Sequence, residues 1–105
     1  MVMLIQNRKT GDMLVVELQT PRLDSAVAEE FRQEMTRLIA EGEERITLDL
    51  GNVEFIDSAG LGAIVSVLKM IGRTGTFELT GVHGAVHKVF TLTRMNRVFT
   101  IRDAA

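Results

Sequence analysis

Two β-rich apolar runs open the chain, Val2 to Arg8 and Met13 to Leu18, with Thr10-Gly11-Asp12 between them. Strand formers flanking turn residues predict an antiparallel hairpin. Thr20-Pro21-Arg22 then breaks the pattern. Asp24 or Ser25 can cap a helix whose apolar positions Val27, Phe31, Met35, Leu38 and Ile39 share one face, with Glu29 and Glu30 suiting its first turns and Gly42 its C-terminus. Arg45 to Leu50 reads as a strand, Gly51-Asn52 as a turn and Val53 to Ile56 as extended. Ser58 opens a second helix running to about Gly72. Thr76 to Thr80 predicts a strand and His83 to Leu92 a third helix, with Val86, Val89, Phe90 and Thr93 inward. Val98 to Ile101 predicts a last strand, followed by residues able to form a terminal turn. Strands alternating with helices of this length imply βαβ units. The expected fold is α/β: one mixed, mostly parallel sheet of four to five strands, an antiparallel hairpin at one edge, and three to four helices.

The second helix departs from an ordinary amphipathic pattern. From Ala59 to Ile71 its only polar side chains are Ser66 and Lys69. Leu61, Ile64, Val65, Leu68 and Ile71 suffice to cover a sheet, which leaves Ala59, Ala63, Val67 and Met70 as a second apolar face. A helix apolar all round is either fully buried or covered by a partner. A domain of this size seldom buries a helix on every side, which favours the partner.

Composition narrows the function classes. The 105 residues, with no linker, repeat or low-complexity tract, predict one domain spanning 1–105. A net charge of -2 and scattered basic residues argue against general nucleic-acid binding. The absence of cysteine excludes disulfides, thiolate metal sites and cysteine nucleophiles. Met1 to Ile5 is apolar, but Gln6 to Lys9 follows at once, so no signal-peptide core forms. The uncharged run Ser58 to Leu68 is far short of the roughly 20 residues that cross a bilayer. A soluble cytoplasmic protein, monomer or weak dimer, is expected.

Candidate chemistry centres on EFIDSAGLGAIV, residues 54–65. Ser58 is placed as the N-cap of the second helix, its hydroxyl accepting from the amides of Gly60 or Leu61, and this can be its whole role. Three features add a functional reading. Asp57-Ser58 lies beyond the carboxyl end of a strand, where α/β sheets collect their sites. Gly60 and Gly62 each disfavour helix by up to about 1 kcal/mol relative to alanine, yet bare backbone in a first turn admits another molecule and suits an anion. The third is the apolar helix behind them.

Other chemistries fit poorly. A nucleophile elbow needs glycine where Ile56 stands. A dinucleotide fingerprint would need glycine at Val65, and no P-loop lysine is present. His83 and His87 have zinc-like spacing without completing ligands, which leaves them solvent-facing. Asp49 alternates with apolar neighbours and is expected at the strand's polar edge or hydrogen-bonded. A receiver-like site would use Asp57 as phosphoacceptor, but the acidic pair that would hold Mg²⁺ is missing between Leu18 and Leu23.

Asp57-Ser58-Ala59-Gly60-Leu61-Gly62, between an apolar strand and an apolar helix, resembles the phosphorylation motif of the STAS-domain anti-sigma factor antagonists. The likeness spans essentially the whole chain, including Leu23-Asp24, Ile46 to Leu50, and Val89-Phe90 through Val98-Phe99. It implies a regulatory protein without enzymatic activity or cofactor. In its unphosphorylated form it would bind an anti-sigma factor that is also a serine kinase. Phosphorylation at Ser58 would end that binding, and a PP2C-type phosphatase would restore it, with ATP and Mg²⁺ belonging to the kinase. The expected partner surface is Arg22 and Asp24 in the loop, with Ala59, Ala63, Ser66, Val67 and Met70 on the helix, while Asp57 orients Ser58 or the kinase machinery. Similar switches serve biofilm, secretion or stress outputs. Two departures stand out: Thr20-Pro21-Arg22 where relatives often carry glycine, and Ala59 where many carry a second hydroxyl.

Overall fold

A computed structural model describes residues 3–102. The hairpin pairs β1 (Ile5–Thr10) with β2 (Met13–Leu18), antiparallel and in the register Ile5 opposite Leu18. Val2 of the expected first strand and the expected terminal turn at 103–105 lie outside the described residues. Beyond the hairpin the sheet is parallel: β2 pairs with β4 (Arg45–Asp49), β4 with β6 (Thr76–Thr80), and β6 with β7 (Thr100–Arg102). The spatial order is β1-β2-β4-β6-β7. This is the mixed α/β sheet expected, with β7 starting two residues later than its apolar run suggested.

Period-two alternation sets which face is the core. Leu14, Val16, Leu18, Ile46, Leu48, Phe77 and Leu79 are buried, whereas Val15, Thr47 and Glu78 between them are only half-buried. Three helices pack the buried face: α1 (Ala28–Ala40), α2 (Ser58–Ile71) and α3 (Gly84–Leu92). Phe90 of α3 meets Phe99 edge-on at 5.7 Å, and Phe99 meets Phe77 of β6 at 6.2 Å, the offset geometry aromatic quadrupoles favour. A 3₁₀ turn at Met95–Arg97 follows α3. Among the described residues no helix is long and apolar enough to cross a membrane.

Three local features differ from the pattern-based expectation. First, α1 begins at Ala28, not directly after Asp24 or Ser25. Asp24 instead closes a turn of its own: its carboxylate accepts from the Ala26 amide at 3.0 Å and its carbonyl from Ala28 at 2.8 Å. Short polar side chains compete with the helix in this way.

Second, Arg22–Leu23 is not merely a break. It forms β3, which pairs in parallel with β5 (Phe55–Ile56) as a separate two-stranded ribbon, Arg22 opposite Phe55 and Leu23 opposite Ile56. The Pro21 carbonyl accepts from the amides of Glu54 and Phe55. Third, the outward face foreseen for α2 is covered from inside the domain. Ala63 and Val67 are buried, and Met70 is half-buried with its sulfur 3.3 Å from the Thr36 hydroxyl of α1. Leu61, Val65 and Leu68, expected to cover the sheet, are half-buried. The helix is clothed by its neighbour α1, so the fully buried Val67 leaves the set of partner-facing residues and Ala63 keeps only an edge on the surface.

Candidate functional site

The β3–β5 ribbon delivers the chain to the mouth of α2 beside the loop that precedes α1. Asp57, extended at φ −109°, is the N-cap of α2, and Ser58 is the first helical residue. This moves the cap one place from its expected position at Ser58. Both residue types are strong caps, and the backbone geometry selects Asp57.

Both oxygens of the Asp57 carboxylate are engaged. Oδ1 accepts from the Gly60 amide at 2.9 Å, capping the helix. Oδ2 accepts from the Ser25 amide at 3.0 Å, tying down the loop between β3 and α1. The Gly60 N–H above all, with those of Ser25 and Ala59 behind it, holds the Asp57 carboxyl below the usual carboxylate range, against a smaller opposing effect of desolvation. Asp57 therefore clamps two segments together. A carboxylate so occupied is a poor phosphoacceptor, which disfavours the receiver-like reading.

Ser58 is exposed, and its hydroxyl makes no hydrogen bond among the described residues. The Gly60 amide, expected to donate to this hydroxyl, donates to Asp57 instead.

The two glycines divide into different roles. A β-carbon on Gly60 would stand 2.1 Å from the Leu23 carbonyl oxygen, so its bareness serves the close approach of α2 to β3. A β-carbon on Gly62 would meet nothing within 4 Å, and Gly62 is exposed. The open surface around Ser58 consists of Ala59 and Gly62, both exposed, and half-buried Ser66, whose hydroxyl donates to the Gly62 carbonyl at 3.0 Å. A groove of about 270 Å³ runs between the first turns of α1 and α2, lined by Ser25, Glu29, Arg32, Ala59 and Ser66, with Ala63 also reaching it.

On the adjoining ribbon, the Arg22 guanidinium lies 4.1 Å from the centre of the Phe55 ring, and its Nε donates to Asp24 at 3.3 Å. Phe55 is 37% exposed, unusual for a large apolar side chain in a strand. The sequence did not single out Phe55. Its pairing opposite Arg22 depends on a ribbon of two residues per strand, too short for any periodicity to mark. His83 and His87 are exposed as expected, and Nε2 of His83 lies 3.0 Å from the Gly51 carbonyl. Asp49 accepts from the Gly51 amide at 2.8 Å. Among the described residues no three His, Cys, Asp or Glu side chains cluster as metal ligands would.

Comparison with known proteins places this geometry. Residues 5–104 match the STAS domain. A Bordetella bronchiseptica protein assigned as the anti-sigma factor antagonist BtrV is 31% identical over 97 residues, covering 91% of this chain and 83% of that one. A crystal structure from Thermotoga maritima, assigned the same role, superposes with a TM-score of 0.83 at 31% identity, over 96% of this chain and 86% of that one. The Bacillus anti-sigma factor antagonist SpoIIAA, solved in unphosphorylated and phosphorylated forms, shares the fold at 22% identity. Its TM-scores are 0.72 and 0.73, over 96% of this chain and 89% or 91% of SpoIIAA.

Proposed function

Since the chain belongs to the STAS domain family, among relatives that are anti-sigma factor antagonists, we propose that it is a partner switch whose state is set by a phosphate on Ser58. The observation that carries this reading is the division between neighbours: Asp57 caps the helix, so the Ser58 hydroxyl stands exposed at the helix mouth, with no bond among the described residues to give up. A serine kinase that is also the anti-sigma factor is the partner of the unphosphorylated form. A PP2C-type phosphatase resets the switch. ATP and Mg²⁺ belong to the kinase, this chain catalyses nothing, and all of this takes place in the cytoplasm.

A phosphate here adds roughly −1.5 to −2 charge beside a carboxylate that is already ionised. The amides Asp57 holds are not free to neutralise it, although the positive end of α2 tolerates it. The fold therefore persists, and a partner docking over Ala59, Gly62 and Ser66 must desolvate two adjacent anionic groups. A penalty of about 4 kcal/mol weakens binding a thousandfold. The partner surface is the rim of this site: Arg22 and Asp24 on the ribbon side, and Ala59, Gly62 and Ser66 on the helix, with Met70 at its far end.

Incubation with the cognate kinase and ATP tests the reading. A mass gain of about 80 Da mapped to Ser58 and absent from Ser58→Ala is expected. Ser58→Ala should hold the kinase whether or not ATP is present, and Ser58→Glu should bind it weakly. Tight binding by Ser58→Glu would sink the electrostatic account.

A further inference from the structure

A second cavity, of about 460 Å³, opens at the carboxyl edge of the sheet, and none of its lining residues belongs to the Ser58 site. Its volume is that of a small-molecule site, roughly 300–1,000 Å³. Three parallel strands deliver its walls: Gly51 follows β4, Gly81 to His83 follow β6, and Ile101 and Arg102 end β7. The crevice beyond the carboxyl ends of parallel strands is where open α/β sheets bind ligands.

The walls are held in place before any ligand arrives. The Leu50 amide donates to the Thr80 carbonyl at 2.9 Å. Gly81, at φ +72°, lies so close to the loop after β4 that a β-carbon there would come within 2.6 Å of the Gly51 amide nitrogen. His83 bridges the same two loops. The Gly51 carbonyl can only accept, so Nε2 of His83 carries the proton and donates.

The lining has one chemical character. Arg102, His87 and Asn96 bring donors, Val82 and Ile101 bring apolar surface, and among the described residues no carboxylate is part of it. Two acids of the adjoining strands are already engaged: Glu78 accepts from Nε of Arg102, and Asp49 from the Gly51 amide. The bond to Glu78 leaves the terminal nitrogens of the Arg102 guanidinium without a partner among the described residues. We infer that this cavity binds a small organic anion, an apolar body carrying a phosphate or carboxylate, through Arg102, with His87 and Asn96 as further donors. A bidentate oxyanion contact is the geometry an arginine fork favours.

Titration of the ¹⁵N-labelled protein with phenyl phosphate, benzoate and neutral benzyl alcohol, followed by amide chemical shifts, tests this. Phenyl phosphate or benzoate should move the Gly51, Gly81 and His83 amides saturably, and the stronger of the two names the head group. Benzyl alcohol should leave them in place. Arg102→Gln should weaken binding at least tenfold with the rest of the spectrum unchanged, while Ser58→Ala should bind as the parent does. Equal shifts with benzyl alcohol, no saturable shift at millimolar anion, or full affinity in Arg102→Gln would overturn the inference. None of these outcomes depends on phosphorylation of Ser58.

Discussion

Gly60 and Leu23 touch through backbone alone: a β-carbon on the glycine would sit 2.1 Å from the leucine's carbonyl oxygen. Since Leu23 is fully buried in the ribbon and its carbonyl also receives the Asp57 amide at 3.3 Å, neither side can retreat. Gly60→Ala should destabilise the protein by about 2–3 kcal/mol, the upper part of the range for overpacking. Gly62→Ala meets open space and should stabilise α2 by up to about 1 kcal/mol. Urea denaturation of the two variants should give shifts of opposite sign. If the proposed partner docks at Gly62, the stabilised variant should nevertheless bind it less well.

Asp57 and Ser58 should separate in the same assay. Ser58→Ala removes an exposed hydroxyl without a partner and should change stability by less than about 0.5 kcal/mol. Asp57→Ala removes both the helix cap and the tether to Ser25, and should lower Tm by several degrees. Asp57→Asn keeps one acceptor oxygen and should fall between the two. Equal losses for Ser58→Ala and Asp57→Ala would return the cap to Ser58.

The same clamp predicts a pH dependence. The folded-state pKa of Asp57 is depressed, chiefly by the Gly60 N–H. Its contribution is therefore complete above the unfolded value of about 3.9 and is lost as pH falls through the lower folded value. Urea midpoints measured from pH 6 down to pH 3 should fall less steeply for Asp57→Asn than for the parent. Glu29, also depressed through its bond to Arg32, is common to both proteins and cancels in the comparison.

Val67 is buried, so Val67→Ala should cost about 2 kcal/mol through lost burial and the cavity left behind. Partner affinity of the folded variant should be unchanged. Arg22→Ala should behave in the opposite way. Loss of an exposed cation–π contact with Phe55 should cost about 0.5–1 kcal/mol, while partner affinity falls if the ribbon belongs to the docking rim. Denaturation and calorimetric titration on the same samples distinguish the two classes.

Much of this architecture was legible in the sequence because it rests on periodicity. The hairpin, the parallel strands, α1 and α2 follow from alternation and helical spacing, and the motif at residues 57–62 drew attention to itself through its glycines. What could not be read depended on contacts between distant segments. Val53 to Ile56 reads as extended and contains β5, but β3 is too short to carry a pattern, so the pairing that brings Ser25 to Asp57 was invisible. Ala63 and Val67 are indistinguishable from a partner-facing stripe until α1 is seen to cover them. The cap differed by one residue because aspartate and serine cap equally well, and the choice lies in the backbone angles at residue 57.

The separation of Asp57 from Ser58 also has an evolutionary reading. Were one residue both cap and signalling group, every change in the signal would be a change in foldedness, and selection on the two could not be told apart. With the cap fixed at Asp57, the hydroxyl next to it can be lost, mimicked or replaced while the scaffold stays intact. If Ser58 carries the proposed phosphate, a lineage could retire its regulation and keep the binding module in a single step, or regain control just as cheaply. Under the proposed switch, residue 58 is the position where a single substitution would leave a protein of this fold permanently engaged or permanently silent.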